Sequence, residues 1–317
     1  MGHPAIRSYV QGDIEDIVRI YNEAFKNLAS CWPNPMTLEW FMERFGSTLK
    51  DKTGIAFIAE HEKIPVGYVL VTTAKRPEVG LVAYISGICV APGFQRRGIG
   101  TELLQKAVDW ARNQAVVVVE NDDEIVENAG AVAFFEKMGF EVFHRGACMS
   151  KDLWSDEGLS VPRNVSVREL KDSDLDDLLN VRKETFRELG PWYSVTDDAK
   201  FKMGMRNRIG RDDVKVFIAV KDGKLIGYVV CQIRKDNEVR ADIRNISVLP
   251  GYRNMRVGSA LIANAYDYLR ESKVKTVSTV TETAEPFYRK VGFKVDARFV
   301  RVRKLLTNSI QTKKQTL

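Results

Sequence analysis

The chain has 317 residues, with 48 Lys+Arg, 42 Asp+Glu and 44% hydrophobic residues, enough for two globular domains of about 150 residues each. No apolar run approaches the ~20 residues that cross a bilayer, and Met1-Gly2-His3-Pro4 lacks the apolar core of a signal peptide. His3, His61 and His144 cannot build a histidine-rich metal site, and Cys31, Cys89, Cys148 and Cys231 lack metal-ligand spacing. A reduced cytoplasmic protein with buried thiols and no metal is expected.

A first helix is predicted behind Asp13, with Ile14, Ile17, Val18 and Tyr21 at helical spacing and Asp13 as its cap. Phe57-Ile58-Ala59 and Val66-Gly67-Tyr68-Val69 read as a hairpin, with His61 solvated in its turn. Leu81 to Val90 is an apolar run that reads as a strand. Gln95-Arg96-Arg97-Gly98-Ile99-Gly100 follows, and Thr101 to Ala111 reads as a helix through Leu103, Leu104, Ala107 and Ala111. A strand, a glycine-bearing turn and a helix N-terminus form an anion seat, because first-turn N–H groups and the helix dipole both favour negative charge. Gly98 and Gly100 allow a diphosphate close approach, and Arg96 and Arg97 add positive charge. Ala115 to Val119 reads as a buried strand.

The elements then recur. Phe217-Ile218-Ala219 and Ile226-Gly227-Tyr228-Val229 repeat the hairpin, around a Lys221-Asp222-Gly223-Lys224 turn. Pro92-Gly93-Phe94 recurs as Pro250-Gly251-Tyr252, and Lys137-Met138-Gly139-Phe140 as Lys290-Val291-Gly292-Phe293. Asp174, with Leu175, Leu178 and Leu179 behind it, repeats the first helix start. A period this long means two homologous domains, placed at 1–158 and 159–317, with a linker at 156–164 and Val165 opening the second copy. Residues 307–317 read as a frayed end.

The dinucleotide and triphosphate glycine motifs do not fit residues 95–100. The loop instead resembles the pyrophosphate loop of the GNAT superfamily of N-acetyltransferases, [QR]-x-x-G-x-[GA]. Asn128 to Phe140 resembles the second signature of that family, with Phe135 in place of its tyrosine. The resemblance covers nearly the whole chain. It implies two tandem α/β domains, each a central mixed β-sheet flanked by helices, and acetyl-CoA as cofactor. It places the cofactor on Ile88, Cys89, Val90, Gln95, Arg96, Arg97, Gly98, Ile99, Gly100, Thr101, Asn128, Ala131, Phe134, Phe135 and Lys137. It also implies transfer of the acetyl group by direct attack of an amine, small-molecule or peptide. Cys89 lacks a histidine partner and reads as core packing and not as a nucleophile.

The second copy is altered at the same positions. Arg256 replaces the first loop glycine, where left-handed backbone would be strained, and Thr281 takes the Asn128 slot; Tyr288 keeps the family tyrosine. Cofactor binding is therefore expected in the first domain. The family's base slot holds Ser86, or Arg244 in the second copy; Glu78, Glu120 and Asp122 are substitutes for it. Ser86, Glu120 and Tyr288 are the candidate catalytic residues. Three readings stay open: an acetyltransferase served by the first domain, a degenerate acetyl-CoA-binding or partner-docking protein, and an enzyme whose second domain catalyses through Tyr288. Residues 1–158 are net acidic and 159–317 net basic, which suits a cationic amine in one half and an acidic partner for the other. The basic half has no nucleic-acid reader motif.

Overall fold

The computed structural model describes residues 4–26, 36–51, 53–76, 79–121, 125–126, 129–155, 165–188, 198–235 and 239–306. The expected linker at 156–164 and the frayed end at 307–317 lie outside them. Both copies build the same order of elements, save for one short strand before the last helix that only the first copy shows among the described residues. The first runs β1 (Ala5–Ser8), α1 (Ile14–Phe25), α2 (Leu38–Lys50), β2 (Gly54–His61), β3 (Ile64–Arg76), β4 (Gly80–Val90), α3 (Ile99–Asn113), β5 (Val118–Asn121), β6 (Ile125–Val126), α4 (Ala129–Lys137) and β7 (Glu141–Asp152). The second runs β8 (Ser166–Glu169), α5 (Leu175–Arg187), α6 (Asp198–Arg206), β9 (Val214–Lys221), β10 (Lys224–Lys235), β11 (Val239–Val248), α7 (Val257–Glu271), β12 (Thr276–Thr281), α8 (Glu285–Lys290) and β13 (Lys294–Leu305).

Both hairpin turns place two residues at positive φ, Glu62 and Lys63 at 51° and 65°, Asp222 and Gly223 at 50° and 75°. That backbone matches the twist of the flanking strands. His61 ends β2 and packs against Phe94 with ring centroids 5.3 Å apart, so it is not the solvated turn residue expected. Asp13 does not cap α1 forward. Its carboxylate reaches back to Val10 N–H at 2.8 Å and to Arg7 at 2.7 Å. Asp174 does the same with Lys171 N–H and Arg168.

The chain forms two compact units, residues 1–145 with 298–317, and residues 146–297. These units differ from the sequence repeats, because the last strands are exchanged. In the first unit β13 pairs antiparallel with β5, Arg303 opposite Glu120. In the second unit β7 pairs antiparallel with β12, from Thr276 opposite Asp152 to Thr281 opposite Ala147. Val300 and Val302 are fully buried in the first core, and Ala147 and Met149 in the second. The exchange also removes the charge asymmetry. The first unit holds 21 Lys+Arg and 19 Asp+Glu, the second 27 and 23, because 298–317 carries six basic residues and no acidic one.

In the first unit, strand alternation sorts the β3 side chains onto two faces. Val69 and Val71 join α3 and Phe135 in one core. Tyr68 and Leu70 join α1 and α2 in the other. The sheet is mixed, since β4 and β5 run parallel while β1 to β4 run antiparallel. Among the described residues, no helix is long and apolar enough to cross a membrane. Cys89, Cys148 and Cys231 are buried thiols outside any disulfide; Cys31 lies outside the described residues.

Candidate functional site

The site of the first unit is built from a strand that stops pairing. β4 is bonded to β5 only from Val82 to Ile85, so Ser86 to Val90 have no β5 residue opposite them among those described. A bulge starts the divergence. Leu70 pairs with Gly87 and Val71 with Ile85, and Ser86 is left over. Its Oγ lies 3.0 Å from Thr72 Oγ1. Past the bulge, Ile88 and Val90 are half-buried towards α3, while Cys89 turns into the core under α1 and α2. That setting agrees with packing for Cys89.

The chain then makes the turn expected from residues 95–100. Gln95 donates to Val90 O at 3.0 Å, and Arg97 donates to Gly93 O at 2.9 Å beneath the Phe94 ring. Gly98 precedes α3 at φ 86° and ψ −12°, left-handed backbone that favours glycine. The helix begins at Ile99, two residues before the sequence expectation of Thr101. Its first N–H groups have no intrahelical acceptor and lie next to Arg96, Arg97 and Gly98, all exposed. At Gly100 an added Cβ would meet Phe134 at 3.7 Å and Val90 at 3.9 Å. Three of the expected cofactor residues therefore converge at the splayed strand. Ala131 is half-buried on α4, Lys137 ends that helix in the open, and Thr101 lies in the first turn of α3. Asn128, Glu78 and Asp122 lie outside the described residues.

Phe135 is buried against Phe134 and Phe140, with centroids 5.2 and 5.3 Å away. Glu120 lies on β5, opposite Tyr84 of β4. Both its oxygens accept from Arg76, at 3.0 and 2.8 Å, and the Arg76 guanidinium sits over the Tyr84 ring. Both oxygens of the carboxylate expected as a substitute base are therefore engaged by Arg76. Sequence reasoning missed Arg76, Tyr84 and Thr72; no motif marks them, and the pairing appears only once β3, β4 and β5 are in register.

The second unit keeps the geometry and closes the space. β11 pairs with β12 only from Arg240 to Ile243, and Arg244 is the bulge residue, which places it at the Ser86 position. Arg253 takes the place of Gln95, donating to Val248 O at 3.2 Å and pairing with Glu188 at 2.6 Å. Arg256 precedes α7 at φ 59°, the strained conformation anticipated for it. A Cβ at Gly258 would meet Phe287 at 2.9 Å, so α8 sits tight on α7. Tyr288 is buried beside Thr279, and burial pushes its phenol up to about 12. Thr281 accepts from Ala284 N–H at 2.9 Å at the start of α8.

A splayed strand pair running into a helix N-terminus behind a left-handed residue, present twice, defines a tandem acyl-CoA acyltransferase fold. The chain belongs to the acetyltransferase (GNAT) family, whose model matches residues 14–140 and 175–293. It is 31% identical over 146 residues to an uncharacterized N-acetyltransferase of Methanocaldococcus jannaschii; that match takes in 43% of this chain and 60% of the relative. A GCN5-related N-acetyltransferase from Sphaerobacter thermophilus shares the fold at TM-score 0.74 and 18% identity, covering 95% of both chains. A tandem GNAT protein from the clavulanic acid biosynthesis pathway shares it at TM-score 0.69 and 19% identity, covering 95% of this chain and 98% of that one.

Proposed function

We propose that the chain is an acetyl-CoA-dependent N-acetyltransferase whose first unit alone holds the cofactor. The observation that carries this reading is the contrast at the two helix starts. Gly98 and Gly100 leave the first loop open, with Phe134 in ordinary contact range; in the second, Arg256 stands in the place of Gly98 and Phe287 crowds Gly258. In the first unit the N–H groups at 98–101, with Arg96 and Arg97, would hold the diphosphate. The unpaired edge of β4 at Ile88 to Val90 would hold the extended arm. The cofactor supplies an activated thioester. A backbone N–H of β4 is suited to stabilise charge on its carbonyl oxygen. The Ser86–Thr72 hydroxyl pair would hydrogen-bond an incoming primary amine from the α1/α2 side. Attack is direct, since Cys89 is packed in the core under α1 and α2. The amine, small molecule or peptide, is open.

Calorimetry with acetyl-CoA tests the assignment. One site per chain is expected, and Gly98→Arg, which copies the second loop, should abolish binding. Two equivalent sites, or unchanged affinity in the variant, would overturn it. Thiol release in the presence of a panel of primary amines tests transfer. Binding without release from any amine would favour the second reading, a degenerate acetyl-CoA-binding protein, which Phe135 in the tyrosine slot and the committed Glu120 support.

A further inference from the structure

Beside the second half of α1 the first unit carries an open cavity of about 490 Å³, within the range of small-molecule sites. Its floor is the start of β3 and the turn after β4: Pro65, Val66, Ala91, Pro92 and Phe94, with the exposed Ile64 at the edge. This floor has little left to hydrogen-bond. Pro65 O accepts from Arg19 at 2.9 Å, and Val66 O from Ala91 N–H at 2.8 Å. Ala91 O accepts from Phe94 N–H at 2.8 Å, and Gly93 O from Arg97 at 2.9 Å. Pro65 and Pro92 have no N–H to give. The floor therefore offers apolar surface and one aromatic ring. That ring, Phe94, is held by His61 at 5.3 Å and by the Arg97 guanidinium at 5.2 Å, so it is pre-organised to receive a flat apolar group.

Three charged side chains line the α1 side, and two of them are engaged with each other. Arg19 donates to Asp16 at 2.7 Å, to Pro65 O, and to Glu23 at 3.4 Å. Lys26, exposed at the end of α1, has no hydrogen-bond or ion-pair partner among the described residues. The charge open to a ligand is thus an ammonium.

The second copy carries larger side chains at the same places. Leu249 stands where the first copy has Ala91; their N–H groups make the same bond, to Ile226 O and to Val66 O. Lys221 and Lys224 stand where the first copy has His61 and Ile64. Both ammonium groups lie over Tyr252, the counterpart of Phe94, at 6.0 and 5.9 Å. The second copy thus covers its ring with its own chain, and the first leaves room beside it.

We infer that this cavity of the first unit binds a small planar apolar molecule bearing one anionic group, an aryl carboxylate in type. The ring lies against Phe94 and the two prolines, and the carboxylate meets Lys26 Nζ. The inference stands whether or not the chain transfers acetyl groups, since none of these residues belongs to the loop at 95–100 except Arg97, which only braces Phe94 here.

The test is calorimetry of the full-length chain with sodium indole-3-acetate and, as its neutral counterpart, indole-3-acetamide. One saturable site is expected for the acid, with Kd below about 1 mM. The amide should bind about two- to five-fold more weakly, the worth of an exposed ion pair. Lys26→Ala, at an exposed position, should bring the acid down to the level of the amide. Ala91→Leu, the residue the second copy already holds there, should weaken both ligands about ten-fold or more by occupying their space. Gly98→Arg should change neither. The proposal is overturned if the acid does not saturate below about 1 mM, or if Lys26→Ala keeps the difference between acid and amide. The second of these stands on its own should Ala91→Leu fold poorly. Unchanged binding in a folded Ala91→Leu variant also overturns it, as does loss of binding in Gly98→Arg, which would place the probe on the acetyl-CoA loop.

Discussion

Gly98 and Arg256 are the same residue of the fold in two states. Each precedes a 15-residue helix in left-handed backbone, at φ 86° and 59°. Each carbonyl accepts from the residue four positions on, Glu102 at 3.1 Å and Ala260 at 3.0 Å. The backbone has stayed fixed while the residue has changed from glycine to arginine. Left-handed backbone costs a residue with a Cβ about 1–2 kcal/mol. Arg256→Gly should therefore leave stability the same or raise it by about 1 kcal/mol or less, once the extra freedom of glycine in the unfolded chain is counted. It should not create a second acetyl-CoA site, because Phe287 still crowds Gly258. Calorimetric stoichiometry checks this: one site is expected for Arg256→Gly, and two would show that Arg256 alone blocks the second loop.

The exchanged strand makes the first unit depend on the end of the chain. Val300 and Val302 sit in its core, and Val302 N–H donates to Asn121 Oδ1 at 2.6 Å, at the end of β5. Removal of 298–317 should cost the first unit its fold and its acetyl-CoA binding together. Hydrogen exchange would locate the damage. Loss of protection in β5 and α3 is expected, with β9 to β11 of the second unit retaining it.

Arg76 and Glu120 form an ion pair in which the carboxylate is almost wholly buried and the guanidinium about one-sixth exposed. Breaking a buried pair from one side strands the other charge, at about 3–5 kcal/mol. The partial exposure of Arg76 favours the lower end. Arg76→Met should lower the unfolding temperature by roughly 6–12 °C, taking about 2–4 °C per kcal/mol for a unit of this size. Adding Glu120→Gln to it should recover part of the loss. A single Arg76→Met variant as stable as the natural chain would mean the pair contributes nothing.

Acid should weaken the first unit through Asp13. Burial alone would raise this carboxylic acid, but the hydrogen bonds from Arg7 and from Val10 N–H win and hold it below its usual value. A folded-state value below the unfolded one gives stability that is present above about pH 4. It is lost as pH falls through the depressed folded value. Asp13→Asn should therefore lower stability at pH 7 and flatten the acid limb of the stability curve. Denaturant unfolding at pH 7 and pH 3 measures both, and an equal loss at the two pH values would remove the charge from the account.

The repeat, the element order, the loop at 95–100 and the altered loop at 253–258 were all legible in the sequence, because each depends on local patterns: period, glycine position and turn chemistry. The strand exchange was not. β7 and β13 are homologous strands, so either fits the slot beside either β5 or β12, and no residue pattern distinguishes the two pairings. The charge reading failed with it, since the six basic residues of 298–317 belong to the first unit. The cluster around Arg76 was hidden for a related reason: Arg76, Tyr84 and Glu120 sit on three strands, and only the register brings them together. Asp13 and Asp174 read as forward caps because the sequence shows their place and not the turn that points them back.

Phe135 and Tyr288 offer the most direct test of which unit is catalytic. Both are buried on equivalent helices, and the Tyr288 hydroxyl lies beside Thr279. Thr279 pairs with Ile243 as Asn121 pairs with Ile85, so a hydroxyl introduced by Phe135→Tyr would lie beside Asn121. That partner offsets the cost of burying the new group, otherwise about 1–3 kcal/mol. If thiolate departure limits turnover in the first unit, the variant should raise turnover. The ceiling is set by general acid catalysis, about 10²–10⁴-fold where it operates, with acetyl-CoA affinity unchanged. Tyr288→Phe should leave turnover as it was, since its hydroxyl is sealed in the core and its phenol is pushed up to about 12. Steady-state rates of both variants in one thiol-release assay decide the matter. Activity lost in Tyr288→Phe and unmoved in Phe135→Tyr would transfer the chemistry to the second unit.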